Sequence, residues 1–207
     1  MIGRLSLVLF LSCAAFLGCD RGEAGRVDVK GAARGGELPE LGRITEFSLV
    51  DQSGRAVTQD TFSGKVWAAA FMFTRCPTVC PEITRRMKSV QERAQARKLP
   101  LSLVSFSVDP DNDTPEVLSK YAHEYGASLD SWSFLTGPFE LVAATAEKGF
   151  KIAVERGPGA EAHGGITHGS HLVLVDQRGA IRGYYRTTED EALERLLLDA
   201  AALTKRP

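Results

Sequence analysis

Two apolar runs dominate the middle of the chain: KVWAAAFMF, from Lys65 to Phe73, and LSLVSFSV, from Leu101 to Val108. Neither alternates cleanly between apolar and polar, which is the pattern of strands buried on both faces of a sheet. A helical pattern follows the first run. In PEITRRMKSVQERAQARK, Ile83, Met87 and Val90 share one face, Pro81 suits the first helical position and Glu82 the first turn. DPDNDTPEVLSKYAHEYGA, after the second run, predicts a turn and a helix capped by Asp113 or Thr114, begun by Pro115 and ended by Gly126.

Further on, GPFELVAATAEKG predicts a helix closed by Gly149, FKIAV a strand, and HLVLVDQRGAIRGYYR a strand, a turn and a strand. TTEDEALERLLLDAAALTK predicts a last helix with a capping-box pair at Thr188 and Glu191. Upstream, ITEFSLVDQSGRAVT reads as a β-hairpin around Gln52, Ser53 and Gly54. ERGPGAEAHGGIT is glycine-rich and aperiodic, and is expected to be a mobile loop. This order predicts an α/β sandwich with a mixed central sheet flanked by helices and preceded by an N-terminal hairpin.

The ends change the picture of organisation. MIGRLSLVLFLSCAAFLGCD has an early cation, Arg4, an apolar stretch and then small residues, the order of an export signal. Its end, FLGC, resembles a bacterial lipobox in which Cys19 is lipidated, although Phe16 stands where leucine is usual. An uncleaved signal anchor and simple secretion are the alternatives, and all three place the domain outside the cytoplasm, on the periplasmic or extracytoplasmic side of a membrane. Residues 20–39, rich in glycine, alanine and charge, read as a flexible tether, leaving residues 40–207 as the folded domain. The 207 residues, 43% hydrophobic and 25% charged, suffice for one domain with a core. A net charge of -1 without a basic stripe gives no case for a nucleic-acid partner.

The candidate chemistry lies in FTRCPTVCPEIT, where Cys76 and Cys80 sit at the handover from the first central strand to its helix. Sites gather at the carboxyl ends of strands in open α/β sheets. In an oxidising compartment such a pair is a structural disulfide, a redox pair or a metal site. Cys80, at the helix N-terminus, is expected to have its thiol pKa lowered there. Three intervening residues loosen the pair relative to a two-residue redox motif, and two thiolates nearly satisfy a soft ion such as Cu(I). Of the four histidines, His123 reads as a surface residue, His163 lies in the glycine-rich loop, and His168 and His171 flank the start of a strand expected beside the one ending at Cys76. His168, at the loop end, could point into the site, whereas His171 is expected to pack within the strand. Asp109 and Asp113 read as turn-forming and capping residues.

These segments resemble the Sco/SenC family of copper proteins, over about residues 41–201. FTRCPTVCPEIT is similar to its C-x-x-x-C-P motif, SVDPDNDTPEVLSKYAHEYGA to its S-V-D-P-x-x-D-T-P segment, and WSFLTG to its W-x-x-L-T-G. THGSHLVLVDQRGAIRGYY resembles the stretch carrying the ligand histidine, eleven residues before the turn glycine, and counting back from Gly179 reaches His168. The resemblance implies a thioredoxin-like fold and copper, as Cu(I) or Cu(II), held by Cys76, Cys80 and His168. It also implies a metallochaperone role in assembling the dinuclear copper centre of cytochrome c oxidase subunit II, by copper delivery, by thiol reduction or by both. A membrane-tethered thiol–disulfide oxidoreductase using Cys76 and Cys80 as catalytic residues is the alternative, and a copper or redox sensor the second. Enzymatic activity is expected only if the pair is redox-active. Against a general reductase, Ser170 stands about where such enzymes carry a cis-proline.

Overall fold

The computed structural model describes residues 37–156, 166–167 and 170–205. The expected export signal, Cys19 and most of the tether lie outside these residues, as do His163, His168 and most of the glycine-rich segment. At that segment's edges, the two-residue strands β7 (Glu155–Arg156) and β8 (Ile166–Thr167) pair antiparallel.

The two apolar runs form the centre of an eight-stranded mixed sheet. β4 (Val66–Met72) and β5 (Leu101–Ser107) are parallel neighbours in the register Val66 to Leu101 through Met72 to Ser107. Every residue of β4 is buried. The helix expected after it is α1 (Val79–Ala96), and Ile83, Met87 and Val90 all point into the core. α1 begins two residues earlier than the proline suggests, so Cys80 lies inside the first turn rather than ahead of it. α2 (Pro115–Glu124) has Thr114 as its N-cap, accepting from the Val117 N–H, and Gly126 takes a positive φ just beyond its end.

The N-terminal hairpin forms as expected: β2 (Ser48–Asp51) pairs antiparallel with β3 (Ala56–Thr58). With the short β1 (Gly42–Arg43), β6 (Trp132–Thr136), β9 (His171–Val175) and β10 (Ala180–Arg186), the sheet order is β1-β10-β9-β4-β5-β6-β2-β3. β9 runs antiparallel to β4, with Ala69 level with Val173. The last helix is α4 (Asp190–Thr204). Its N-cap is Glu189, with no side-chain hydrogen bond, so the capping box expected at Thr188 and Glu191 does not form.

Residue alternation sorts the core into two layers. Trp67 and Phe71 point to one face of the sheet, where they meet Phe150 at ring separations of 5.8 and 5.3 Å, and Phe106 joins them at 5.5 Å. Ala68 and Ala70 point to the other face, where small side chains let the helices approach closely. There α1 and α4 lie side by side, bridged by Arg97 and Glu194 at 2.8 Å, and α1 meets α2 through Thr84 and Tyr121 at 2.7 Å.

FKIAV does not form the expected strand. α3 (Phe139–Ala144) runs into a wider π-type turn over Thr145–Gly149, Lys151 takes a positive φ, and the Ile152 N–H returns to the Ala146 carbonyl at 2.9 Å. Those bonds close a hook rather than a ladder. Phe150, Ile152 and Val154 are still buried, which explains the strand-like alternation.

Candidate metal centre

β4 delivers the chain to the carboxyl edge of the sheet, where Phe73 to Thr78 turn over into α1. Because Phe73 is itself buried and the Cys76 N–H reaches back to the Phe73 carbonyl at 3.4 Å, the turn folds down onto the sheet edge. Both sulfurs are thereby drawn inward: Cys76 is 7% exposed and Cys80 fully buried. Both are thiols, with no disulfide between them. The Phe73 N–H donates to Cys80 Sγ and the Cys80 N–H to Cys76 Sγ, each at 3.5 Å. A backbone donor is thus already aimed at each sulfur, an arrangement that favours charge on sulfur once a cation is present.

The two thiols differ in the opposite sense to the sequence expectation. Burial pushes the Cys80 thiol far above its ordinary value; the Phe73 N–H opposes this, and Cys76 and Asp113 add to the rise. The helix N-terminus does not win because the side chain is folded into the core, where desolvation of a thiolate outweighs the dipole. Partial burial also raises Cys76, but the N–H groups of Cys80 and Thr78, with their side chains, more than offset it and hold Cys76 below the ordinary thiol range. Cys76 is therefore expected to react with iodoacetamide roughly tenfold faster than Cys80 near neutral pH, because the thiolate is the nucleophile. Timed alkylation with peptide mapping checks this, and preferential labelling of Cys80 would reverse the assignment.

The loop before Cys76 is held by two aspartates that sequence reasoning took for turn and cap residues. Asp113, fully buried, accepts from the Thr74 N–H at 3.1 Å and from the hydroxyls of Thr74 and Ser107. Burial drives its pKa up against these hydrogen bonds, with the neighbouring Asp109 adding to the rise. Asp109 accepts from the Arg75 guanidinium at 2.8 Å and from the Asn112 side-chain amide at 2.9 Å. Thr74 and Arg75 lie 39 and 34 residues from the aspartates that hold them, so no local spacing rule points to these pairs. Behind the helix, Thr84 Oγ1 donates to the Cys80 carbonyl at 2.9 Å.

His123 is exposed on α2, as expected. His171 begins β9 half-buried opposite Arg186, and burial first, then the Arg186 charge, lowers its imidazole pKa, so it is neutral near pH 7. His168 and Cys19 lie outside the described residues. Among the described residues no group of three or more His, Cys, Asp or Glu is arranged to hold a metal. Ser170, two positions after His168, is described: its carbonyl accepts from the Thr187 N–H and hydroxyl at 3.2 and 3.0 Å. Because β9 runs antiparallel to β4, the chain enters β9 on the cysteine edge of the sheet.

A mixed sheet flanked by helices, with a reduced cysteine pair at its strand-to-helix junction, defines a thioredoxin-like domain with a dithiol site. Comparison with known proteins narrows the class. The SCO1/SenC family model matches residues 39–199, and the chain belongs to that family. The SCO1 protein homolog of Bacillus subtilis is 34% identical over 157 residues, covering 75% of this chain and 80% of that protein. The crystal structure of a SCO1/SenC family lipoprotein from Bacillus anthracis superposes with a TM-score of 0.75 at 32% identity, covering 83% of this chain and 99% of that one. BsSco, described as a member of the Sco family of cytochrome c oxidase assembly proteins and as having a disulfide switch, superposes with a TM-score of 0.74 at 31% identity over 83% of this chain and 99% of that one.

Proposed function

We propose that this protein is a copper metallochaperone that binds the ion through the sulfurs of Cys76 and Cys80 and the imidazole of His168, and that it serves assembly of the dinuclear copper centre of cytochrome c oxidase subunit II. The observation that carries this reading is the pair of inward-facing sulfurs, each met by a backbone N–H, at the edge where β9 enters beside β4. Two thiolates and an imidazole form a soft donor set suited to Cu(I), and copper here is cargo rather than a resident cofactor. Kinship supports the metal. A Stutzerimonas stutzeri relative, 30% identical over 165 residues, bears a name that provisionally assigns it copper binding. The fold itself accommodates copper, since Bradyrhizobium japonicum ScoI, similar in fold at a TM-score of 0.60, was solved with copper bound.

Delivery would proceed by ligand exchange, with an incoming acceptor thiolate displacing His168 and the less buried sulfur, Cys76, before the fully buried Cys80. The unequal thiols favour a second reading as well. A low-pKa outer cysteine and a buried inner one are the division of labour of a dithiol reductant, in which Cys76 attacks an acceptor disulfide and Cys80 resolves the mixed disulfide. A chaperone that reduces its acceptor's cysteines and then loads them would use both.

The signal pattern at the N-terminus and the lipoprotein description of the Bacillus anthracis relative support anchoring through a lipidated Cys19, with residues 20–39 as the tether and the domain on the extracytoplasmic side. No helix among the described residues is long and apolar enough to cross a membrane.

Competition of the reduced chain against a Cu(I) chelator tests the ligand set. Wild type is expected to bind one ion, and His168→Ala to bind it roughly ten- to a hundredfold more weakly, about 1.4–2.8 kcal/mol. Equal affinities would remove His168 from the site. Weak binding by wild type itself would leave the reductant reading.

A further inference from the structure

Consecutive residues just ahead of Cys76 are gripped by consecutive parts of one distant loop. Thr74 gives both its N–H and its hydroxyl to Asp113, and Arg75 gives its guanidinium to Asp109. The grip is anchored from below, because the Ser107 hydroxyl donates to Asp113 Oδ2 while Ser107 Oγ accepts the Asp109 N–H at 3.1 Å. Ser107 ends β5, so both aspartates are referenced to the central sheet. Helix capping does not explain Asp113, since Thr114 caps α2. Nor does turn formation explain a carboxylate fully buried under donors from two other segments, where an ionised carboxylate, which can only accept, is satisfied by three of them.

What this holds still is the peptide between Phe73 and Cys76. The Phe73 N–H that meets Cys80 Sγ and the Phe73 carbonyl that receives the Cys76 N–H belong to the residue directly before the gripped Thr74. We propose that Asp113 is a positioning residue for the dithiol: by clamping Thr74 it fixes where Cys76 Sγ stands relative to Cys80 Sγ, with Asp109 and Arg75 as the outer half of the clamp. A pair of sulfurs set at a fixed separation binds a shared partner, whether an ion or the other sulfur, without first losing loop freedom. The proposal deepens the function proposed above but does not need the metal to be tested.

The test is the effective concentration of the two thiols, measured on the metal-free full chain in a glutathione redox buffer. In that equilibrium the Cys76 and Cys80 thiols and one oxidised glutathione yield the Cys76–Cys80 disulfide and two reduced glutathiones. Two electrons leave the protein sulfurs, and the two thiol protons end on the glutathiones. Asp113→Ala is expected to lower the effective concentration about tenfold, a potential less negative by roughly 30 mV. Thr74→Val, which keeps the N–H and loses the hydroxyl, is expected to lower it about threefold or more.

Asp113→Asn separates placement from charge. Its amide oxygen can take the Thr74 N–H and the Ser107 hydroxyl while its NH2 turns to Thr74 Oγ1, so the clamp closes without a charge and the value is expected within threefold of wild type. Tyr185→Phe, which loses the part-buried hydrogen bond to Asp199 on α4, serves as a control for general destabilisation and should leave the value unchanged. Asp113→Ala and Thr74→Val at the wild-type value would overturn the proposal, as would an Asp113→Asn shift equal to that of Asp113→Ala. Should Asp113→Ala not fold, Thr74→Val decides alone. A wild-type chain that fails to bind Cu(I) would overturn the copper reading while leaving this measurement intact.

Discussion

Cys76→Ser and Cys80→Ser are each expected to lower Cu(I) affinity by about a thousandfold or more, roughly 4 kcal/mol. Each replaces a polarisable sulfur with a hard hydroxyl oxygen, and Cu(I) discriminates against oxygen strongly. The two variants should not behave alike in other respects. At position 80 the serine hydroxyl would sit fully buried, where the Phe73 N–H still finds an acceptor, so the fold should persist with a modest loss of stability. At position 76 the side chain is 7% exposed between exposed neighbours, Arg75 and Pro77, so the loss in thermal unfolding should be smaller still. Copper loss without unfolding, followed by chelator competition and circular dichroism on the same samples, is the signature of ligand removal. A loss of tenfold or less in either variant would mean that its sulfur does not hold the ion.

Phe150→Ala carries the largest expected effect on stability. The ring is fully buried and touches Trp67 and Phe71 of β4 and Phe106 of β5, closing the aromatic layer on that face of the sheet. Removing a buried phenyl group costs about 3–5 kcal/mol, through lost burial and the cavity that remains. For a domain of this size that corresponds to a fall in Tm on the order of 10 °C. The backbone at this position is tied separately, by the Tyr184 hydroxyl to the Phe150 carbonyl at 3.0 Å, so the hook should survive in the folded fraction. Thermal unfolding within about 2 °C of wild type would show that the layer collapses around the gap.

The central strands were legible because burial on both faces forces uninterrupted apolar runs, and α1 because Ile83, Met87 and Val90 recur with its period. The cysteine pair was legible as chemistry for the same reason: it falls where an unmistakable strand ends. Elements decided by tertiary contacts were harder to read. β6 is only five residues long, and WSFLT reveals itself as a strand through its pairing with β5 across the α2 crossover and with the distant β2. FKIAV misled because a hook that buries alternate side chains looks like a strand until Lys151 takes its positive φ. The Cys80 thiol misled through a competition: its place near a helix N-terminus was readable, but the depth of its burial was not. The clamp of Asp113 on Thr74 joins segments brought together only by the β4–β5 pairing. DPDND therefore read as a turn and a cap, whereas Thr114 makes the cap and the turn reading omits what the carboxylates hold.

The central claim is that two sulfurs and one imidazole hold a single copper ion. X-ray absorption at the copper edge, on the reduced full chain loaded with one equivalent of Cu(I), tests it most directly. The account predicts a first shell of two sulfur scatterers and one nitrogen, with the nitrogen and its imidazole multiple-scattering pattern lost in His168→Ala. A shell with no sulfur, or one that His168→Ala leaves unchanged, would contradict it.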